Sequence, residues 1–178
     1  MAPADPTGMD PASPSDELEG LADTLWEERQ VVEYLLFKLV TAKLILAADE
    51  RRFVASALEE VDRIGPTLRA TEVQRAAALD AVAGTWGVAG DDLTLHELAE
   101  RAEEPMASVF RDHQVAFAEL ASEIEETARE NRQLACASLA HVRETIDALA
   151  GPGGRRHAPP PGAVETPLRM PARHDELR

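Results

Sequence analysis

Aromatic side chains make up only 4% of this 178-residue chain although 44% of it is hydrophobic, so its apolar material is mostly Ala, Leu and Val. Side chains of that kind pack between helices better than they build a sheet core of β-branched and aromatic residues, which predicts an all-α fold. Long hydrophobic runs are also missing. No stretch approaches the roughly 18 to 20 apolar residues that span a bilayer, so no stable membrane insertion is expected. The first residues are rich in Pro, Asp and Ser and lack a basic region followed by an apolar run, so no secretory signal is expected. His174-Asp175-Glu176-Leu177 resembles a retention signal, but Arg178 follows where such a signal must be terminal. Cysteine is almost absent: Cys136 alone allows no intrachain disulfide and suits a reducing, cytoplasmic setting. Positive charge is scarce too. A net charge of -15 disfavours nucleic acid as a partner, because that affinity rests on Lys and Arg neutralising phosphates.

What is present is helical periodicity between two atypical ends. Residues 1–14 carry four prolines among small and polar side chains, and residues 151–178 contain Gly151-Pro152-Gly153-Gly154 and Pro159-Pro160-Pro161. Both compositions predict disorder, since too little apolar surface is available to offset ordering entropy. The tail after Gly151 has five Arg and three acidic residues, a net +2 against an acidic body. The helical domain is therefore expected over 15–150.

Ser13-Pro14-Ser15-Asp16 places a capping side chain, a proline and an acid at a helix start, predicting a first helix over about 14–47. Leu18, Leu21, Leu25, Val32, Leu36, Leu39 and Leu46 give it an apolar face. Tyr34, Leu35, Phe37, Val40, Leu44 and Ile45 make its second half apolar nearly all round, as though two neighbours cover it. Asp49 is placed to cap a second helix with Phe53, Val54, Ala57, Leu58, Val61, Ile64 and Leu68 on one side. Gly65-Pro66 predicts a kink or a break there, followed by a weaker stripe of Val73, Ala76, Ala77, Asp80 and Val82. Thr94 and Glu97 form a capping box for a short helix over about 95–103. From Pro105 to Ala150 there is no Pro or Gly inside the run, which allows one helix of roughly 45 residues and 68 Å. The expected architecture is an elongated antiparallel bundle or hairpin of three long helices and one short one.

No catalytic centre is legible. His96-Glu97 opens like a zinc-protease helix, but Glu100 stands where that motif needs its second His, so His96 reads as solvated. A di-iron bundle needs Glu three residues before a helical His, and His96, His113 and His141 have Leu93, Phe110 and Ser138 there. Cys136 lies between Ala135 and Ala137 with no basic cluster beside it, and reads as a buried or half-buried structural thiol. Gly84, Gly87 and Gly90 precede no phosphate-loop Lys, while Glu59-Glu60 and Glu125-Glu126 read as solvated helix faces. Neither an enzyme nor a cofactor or metal is expected.

Two features remain on the last helix. Phe110, Phe117, Ile124 and Asn131 repeat every seven residues, and Asn131 puts a polar group where it either fixes helix register or lies at a partly exposed edge. Beyond it Leu134, Leu139, Val142, Ile146 and Leu149 form a stripe that either packs within the bundle or meets a partner helix. The corresponding alternative to partner binding is a self-associating coiled-coil scaffold, with a monomer or weak homodimer expected in solution.

Leu25-Trp26-Glu27-Glu28-Arg29 and Glu33-Tyr34-Leu35-Leu36-Phe37-Lys38-Leu39 resemble the first helix of FlgN-type flagellar export chaperones in their actinobacterial form. Asp112-His113-Gln114, Phe117, Ile124-Glu125-Glu126 and Glu130-Asn131-Arg132-Gln133-Leu134 resemble the last helix of that family, so the likeness covers about 20–150. The resemblance implies a cytosolic chaperone that binds the C-terminal helical segments of hook-associated, hook–filament junction proteins and delivers them to the export gate. It also implies client binding by the distal last helix, here the stripe from Leu134 to Leu149. Gly65-Pro66 and the basic tail fall outside it, leaving the length of the second helix and the role of the tail open.

Overall fold

The computed structural model describes residues 13–90 and 93–151. Five helices occur among them: α1 Pro14–Ala47, α2 Arg51–Asp62, α3 Ile64–Trp86, α4 Leu95–Arg101 and α5 Met106–Ala150. The chain divides after Ala140 into two compact units. Of the second, the described part is the last ten residues of α5 and Gly151. The disorder expected for 1–14 and 151–178 falls, apart from Ser13, Pro14 and Gly151, outside the described residues.

α1 begins and ends where its sequence signals stand. The Ser13 hydroxyl accepts from the Asp16 amide, and the Asp16 carboxylate accepts from the Ser13 amide, a reciprocal capping box. At the other end Asp49 has a different role from the one expected. It adopts the left-handed conformation (φ 53), while the Asp49 amide donates to Leu46 and the Glu50 amide to Ile45. This pair of bonds is a Schellman closure of α1, so Asp49 ends one helix and does not cap the next. α2 starts from Glu50 with no side-chain cap.

The second helical stretch breaks after Asp62, just before the glycine–proline pair. Ile64, Gly65 and Pro66 are the first three residues of α3, where a backbone amide has no intrahelical partner and proline costs nothing. The stripe expected on α3 is also displaced. Val73 is 70% exposed, and Ala76, Ala77 and Asp80 are exposed as well. The inward face instead runs through Ile64, Leu68, Thr71, Arg75, Leu79 and Val82, a regular three-and-four spacing that includes two polar residues. Their polarity hid the face: Thr71 satisfies its hydroxyl on the Leu68 carbonyl, and Arg75 is neutralised by Glu28.

Leu21 and Leu25 share a core with Val82 and Ala83, and Lys38 bonds Glu60, so α3 and α2 run back along α1. Phe110 joins the same core and Asn131 reaches Leu39, so α5 runs in the sense of α1. The first unit is thus an up–down–up bundle. Leu93, Leu98 and Ala99, from the α4 segment, close its lower end. The Thr94–Glu97 capping box forms as expected and holds Glu97 below the usual carboxylate range. α4 stops at Arg101, shorter than expected, because Ala102 turns extended ahead of Pro105. The carboxylate of Glu104 accepts from the Ser108 amide and hydroxyl, supplying the first turn of α5 with an acceptor.

Candidate helix-binding faces

Along α5 the inward seam is Phe110, His113, Phe117, Ile124, Thr127 and Asn131, all buried or half-buried. Asn131 is buried, not at an exposed edge, and its amide donates to the Leu39 carbonyl at 2.9 Å. Its Oδ1 has no hydrogen-bond partner among the described residues, so a polar acceptor is left in the α1–α5 seam beside the Lys43–Glu130 ion pair at 3.0 Å. Such an orphan costs stability, roughly 1–3 kcal/mol for a neutral group, which an apolar residue here would avoid.

The residues expected to bind a client follow further along α5. Leu134 and Val142 are half-buried, while Leu139, Ile146 and Leu149 are 58%, 59% and 83% exposed. Leu139, Val142, Ile146 and Leu149 fall on one side of the helix. Leu134, five residues before Leu139, lies to the side of that line and next to the Asn131 position. Cys136 is exposed, contrary to the expected burial, because five residues from Asn131 carry it well round the helix away from the seam.

Three features had not been read from the sequence. Glu28 is buried on α1 with its Oε2 2.8 Å from Arg75 Nε, although the two are not aligned for a hydrogen bond. Burial pushes its carboxyl up from the usual value, against the opposing pull of Arg75. The clue was positional, since Leu21, Leu25, Glu28 and Val32 keep one spacing. His113 is the second. It stacks on Phe117, its Nδ1 has no partner among the described residues, and burial lowers its pKa, with Arg29 acting in the same direction. A histidine whose folded pKa is depressed adds stability above its unfolded value, about 6.5, that is lost as pH falls through the folded value. We expect His113→Leu to flatten the fall in urea midpoint between about pH 6.5 and 5; an unchanged slope there would show that His113 does not titrate with folding.

The third is α1 itself. Its second half was expected to be covered by two neighbours, and it has them, but a three-helix arrangement leaves an outer face. Trp26, Phe37 and Leu44 on that face are 52%, 58% and 63% exposed. Tyr34 stacks on Phe37 with ring centroids 6.1 Å apart, and Lys38 lies over both rings.

Among the described residues no group of His, Cys, Asp or Glu is arranged to hold a metal, and no helix is long and apolar enough to cross a membrane. His96 is exposed beside the Glu97 that completes the cap. Exposed apolar faces on long helices are the kind of surface that helix-in-groove recognition uses. The chain belongs to the FlgN family: residues 9–157 match the family model described as FlgN protein. It is therefore a FlgN-type flagellar export chaperone. No curated protein and no solved structure gives a match to this chain.

Proposed function

We propose that this chaperone works in the cytosol, covering C-terminal helical segments of hook–filament junction proteins with the distal face of α5 and carrying them to the export gate. The observation that carries the reading is the exposure of Leu139, Ile146 and Leu149 on a helix whose seam is buried further back. A client segment that is helical only when assembled can lay its apolar face along this stripe. Covering it keeps the client from assembling early. Burial of three or four such side chains contributes about 1.5–3 kcal/mol each, and the client's own apolar side chains buried against them add the remainder that micromolar binding, about 8 kcal/mol net, requires. On this reading Asn131, whose amide donates to the Leu39 carbonyl, is the residue that fixes the register of α5 on α1.

The test is titration of the whole protein with a C-terminal peptide of a junction protein. Leu139→Asp or Val142→Asp is expected to raise Kd tenfold or more while helicity by circular dichroism is unchanged. Absence of binding by the unaltered protein at micromolar concentration removes the reading. The self-associating scaffold uses the same stripe against a second copy; it requires an oligomer in light scattering that survives salt and is dispersed by the same substitutions.

A further inference from the structure

The outer face of α1 is a second surface with no partner among the described residues, on a different helix from the α5 stripe. Trp26 and Leu44 are 18 residues apart, five turns at 3.6 residues each, so they share one azimuth, with Phe37 close to it. All three are more than half exposed. Isolated exposed apolar residues are ordinary, but three large ones on one line of roughly 27 Å are not. A groove of about 440 Å³ runs alongside, with Gln30, Val31 and Tyr34 on one wall and Ile64 on the other.

The charges bordering this face say what suits it. Glu19 and Asp23 continue the line towards the start of α1, with Glu27 at its side, and none of the three has an ion pair among the described residues. The cations of the other half are engaged: Lys38 holds Glu60 at 2.8 Å and Lys43 holds Glu130 at 3.0 Å. Between Trp26 and Phe37 the line also carries Glu33, paired with Arg29 at 2.9 Å, and Arg29 lies over the Trp26 ring. The face is thus apolar at its Phe37–Leu44 end, internally neutralised at Arg29 and Glu33, and negative at Glu19, Asp23 and Glu27.

We propose that the outer face of α1 docks an amphipathic helical segment of another protein, about five turns long, apolar along one side and basic at the end that meets Glu19, Asp23 and Glu27. A second copy of this chain fits worse. Parallel pairing would stack the acidic ends on each other. Antiparallel pairing would bring them to Arg51 and Arg52, which are already paired with Asp49 and Glu50. The net charge of -15 opposes self-association throughout. With α5 left open, the chaperone has two independent faces for helices.

The test uses Trp26 as reporter. Trp86 is the other tryptophan, so a full-length Trp86→Phe protein emits from Trp26 alone. The probes are 18-residue helical peptides with Leu every three or four residues and three Lys at the N-terminal or the C-terminal end, with matched Glu versions. At 150 mM salt one Lys peptide is expected to shift Trp26 emission to the blue and bind at least tenfold tighter than its Glu version. Phe37→Asp, or Leu44→Glu if the first variant loses helicity, should weaken that peptide tenfold or more. Because either change adds negative charge, attraction of a basic peptide to an acidic protein in general would instead strengthen binding. Glu19→Gln with Asp23→Asn should weaken it several-fold, and Leu139→Asp should leave it unchanged. Equal binding of Lys and Glu peptides, indifference to both apolar-face substitutions, or loss on Leu139→Asp overturns the proposal. So does a two-chain mass in light scattering that Phe37→Asp reduces to one. The α5 reading is untouched by these outcomes, since its own peptide and variants are different.

Discussion

Phe110→Ala is expected to destabilise the protein by about 3–5 kcal/mol, seen as a large fall in urea midpoint with little change in slope. Phe110 is fully buried, and its cluster draws Leu21 and Leu25 from α1, Val82 and Ala83 from α3, and Leu98 and Ala99 from α4. The same ring therefore joins four helices. The neighbours are aliphatic and small, and each is fixed on a helix backbone, so they cannot close over the space a benzyl group leaves. Phe110→Leu keeps most of the volume and should cost a fraction as much. A fall equivalent to under about 1 kcal/mol for the alanine variant would mean that the core collapses readily or lies elsewhere.

Arg75→Met has the second large effect, for a different reason. It leaves the Glu28 carboxylate buried without its cation. Breaking a fully buried pair costs about 3–5 kcal/mol; the Arg75 side chain is 40% exposed, and water can replace part of its effect, so about 1–3 kcal/mol is expected at pH 7. Replacing both members, Glu28→Leu with Arg75→Met, should recover most of that loss because no charge then remains buried. The pH dependence has a definite sign. A carboxyl raised above its unfolded value gives stability that is present below that value and lost as pH rises through the folded pKa. Without Arg75 the Glu28 pKa rises further, so the single variant should regain stability as pH falls towards about 4.5. A double variant no better than the single one, measured by urea melts at pH 7, would contradict the account.

Much of this was legible in the sequence, and several of the failures share a cause. The limits of α1 followed from Ser13, Pro14 and Asp16 at one end and the loss of apolar spacing after Ala47 at the other. The capping box at Thr94 and the uninterrupted run after Pro105 were equally plain, because local hydrogen bonding and proline geometry act within a few residues. Pattern reading failed where a polar residue sits inside. Thr71, Arg75, Glu28 and His113 all occupy inward positions: Thr71 bonds its own helix, Arg75 and Glu28 pair across a long stretch of sequence, and His113 stacks on Phe117 while burial favours its neutral form. The displaced α3 stripe follows directly, since Val73 and Ala76 are apolar but face outward while Thr71 and Arg75 are polar but face inward. Asp49 misled in another way: an acid before a helix suggests a cap, but the chain reversal needed a residue at positive φ more than the helix needed an acceptor. The α5 stripe was visible as a periodicity. Its exposure was not, because periodicity reports a face and says nothing of what covers it.

The one-residue break at Arg63 separates helices of unequal standing. α3 contributes Ile64, Thr71, Val82 and Ala83 to the interior, whereas α2 fully buries Ala57 alone and leaves Phe53 and Leu58 about half exposed. Opening α2 therefore gives up little apolar burial, while opening α3 dismantles the core around Phe110. The return limb of the bundle has a firm lower section and a loose upper one, hinged where the helical hydrogen-bond ladder is already interrupted. On burial alone, the segment between Asp49 and Arg63 is expected to open before α3 does.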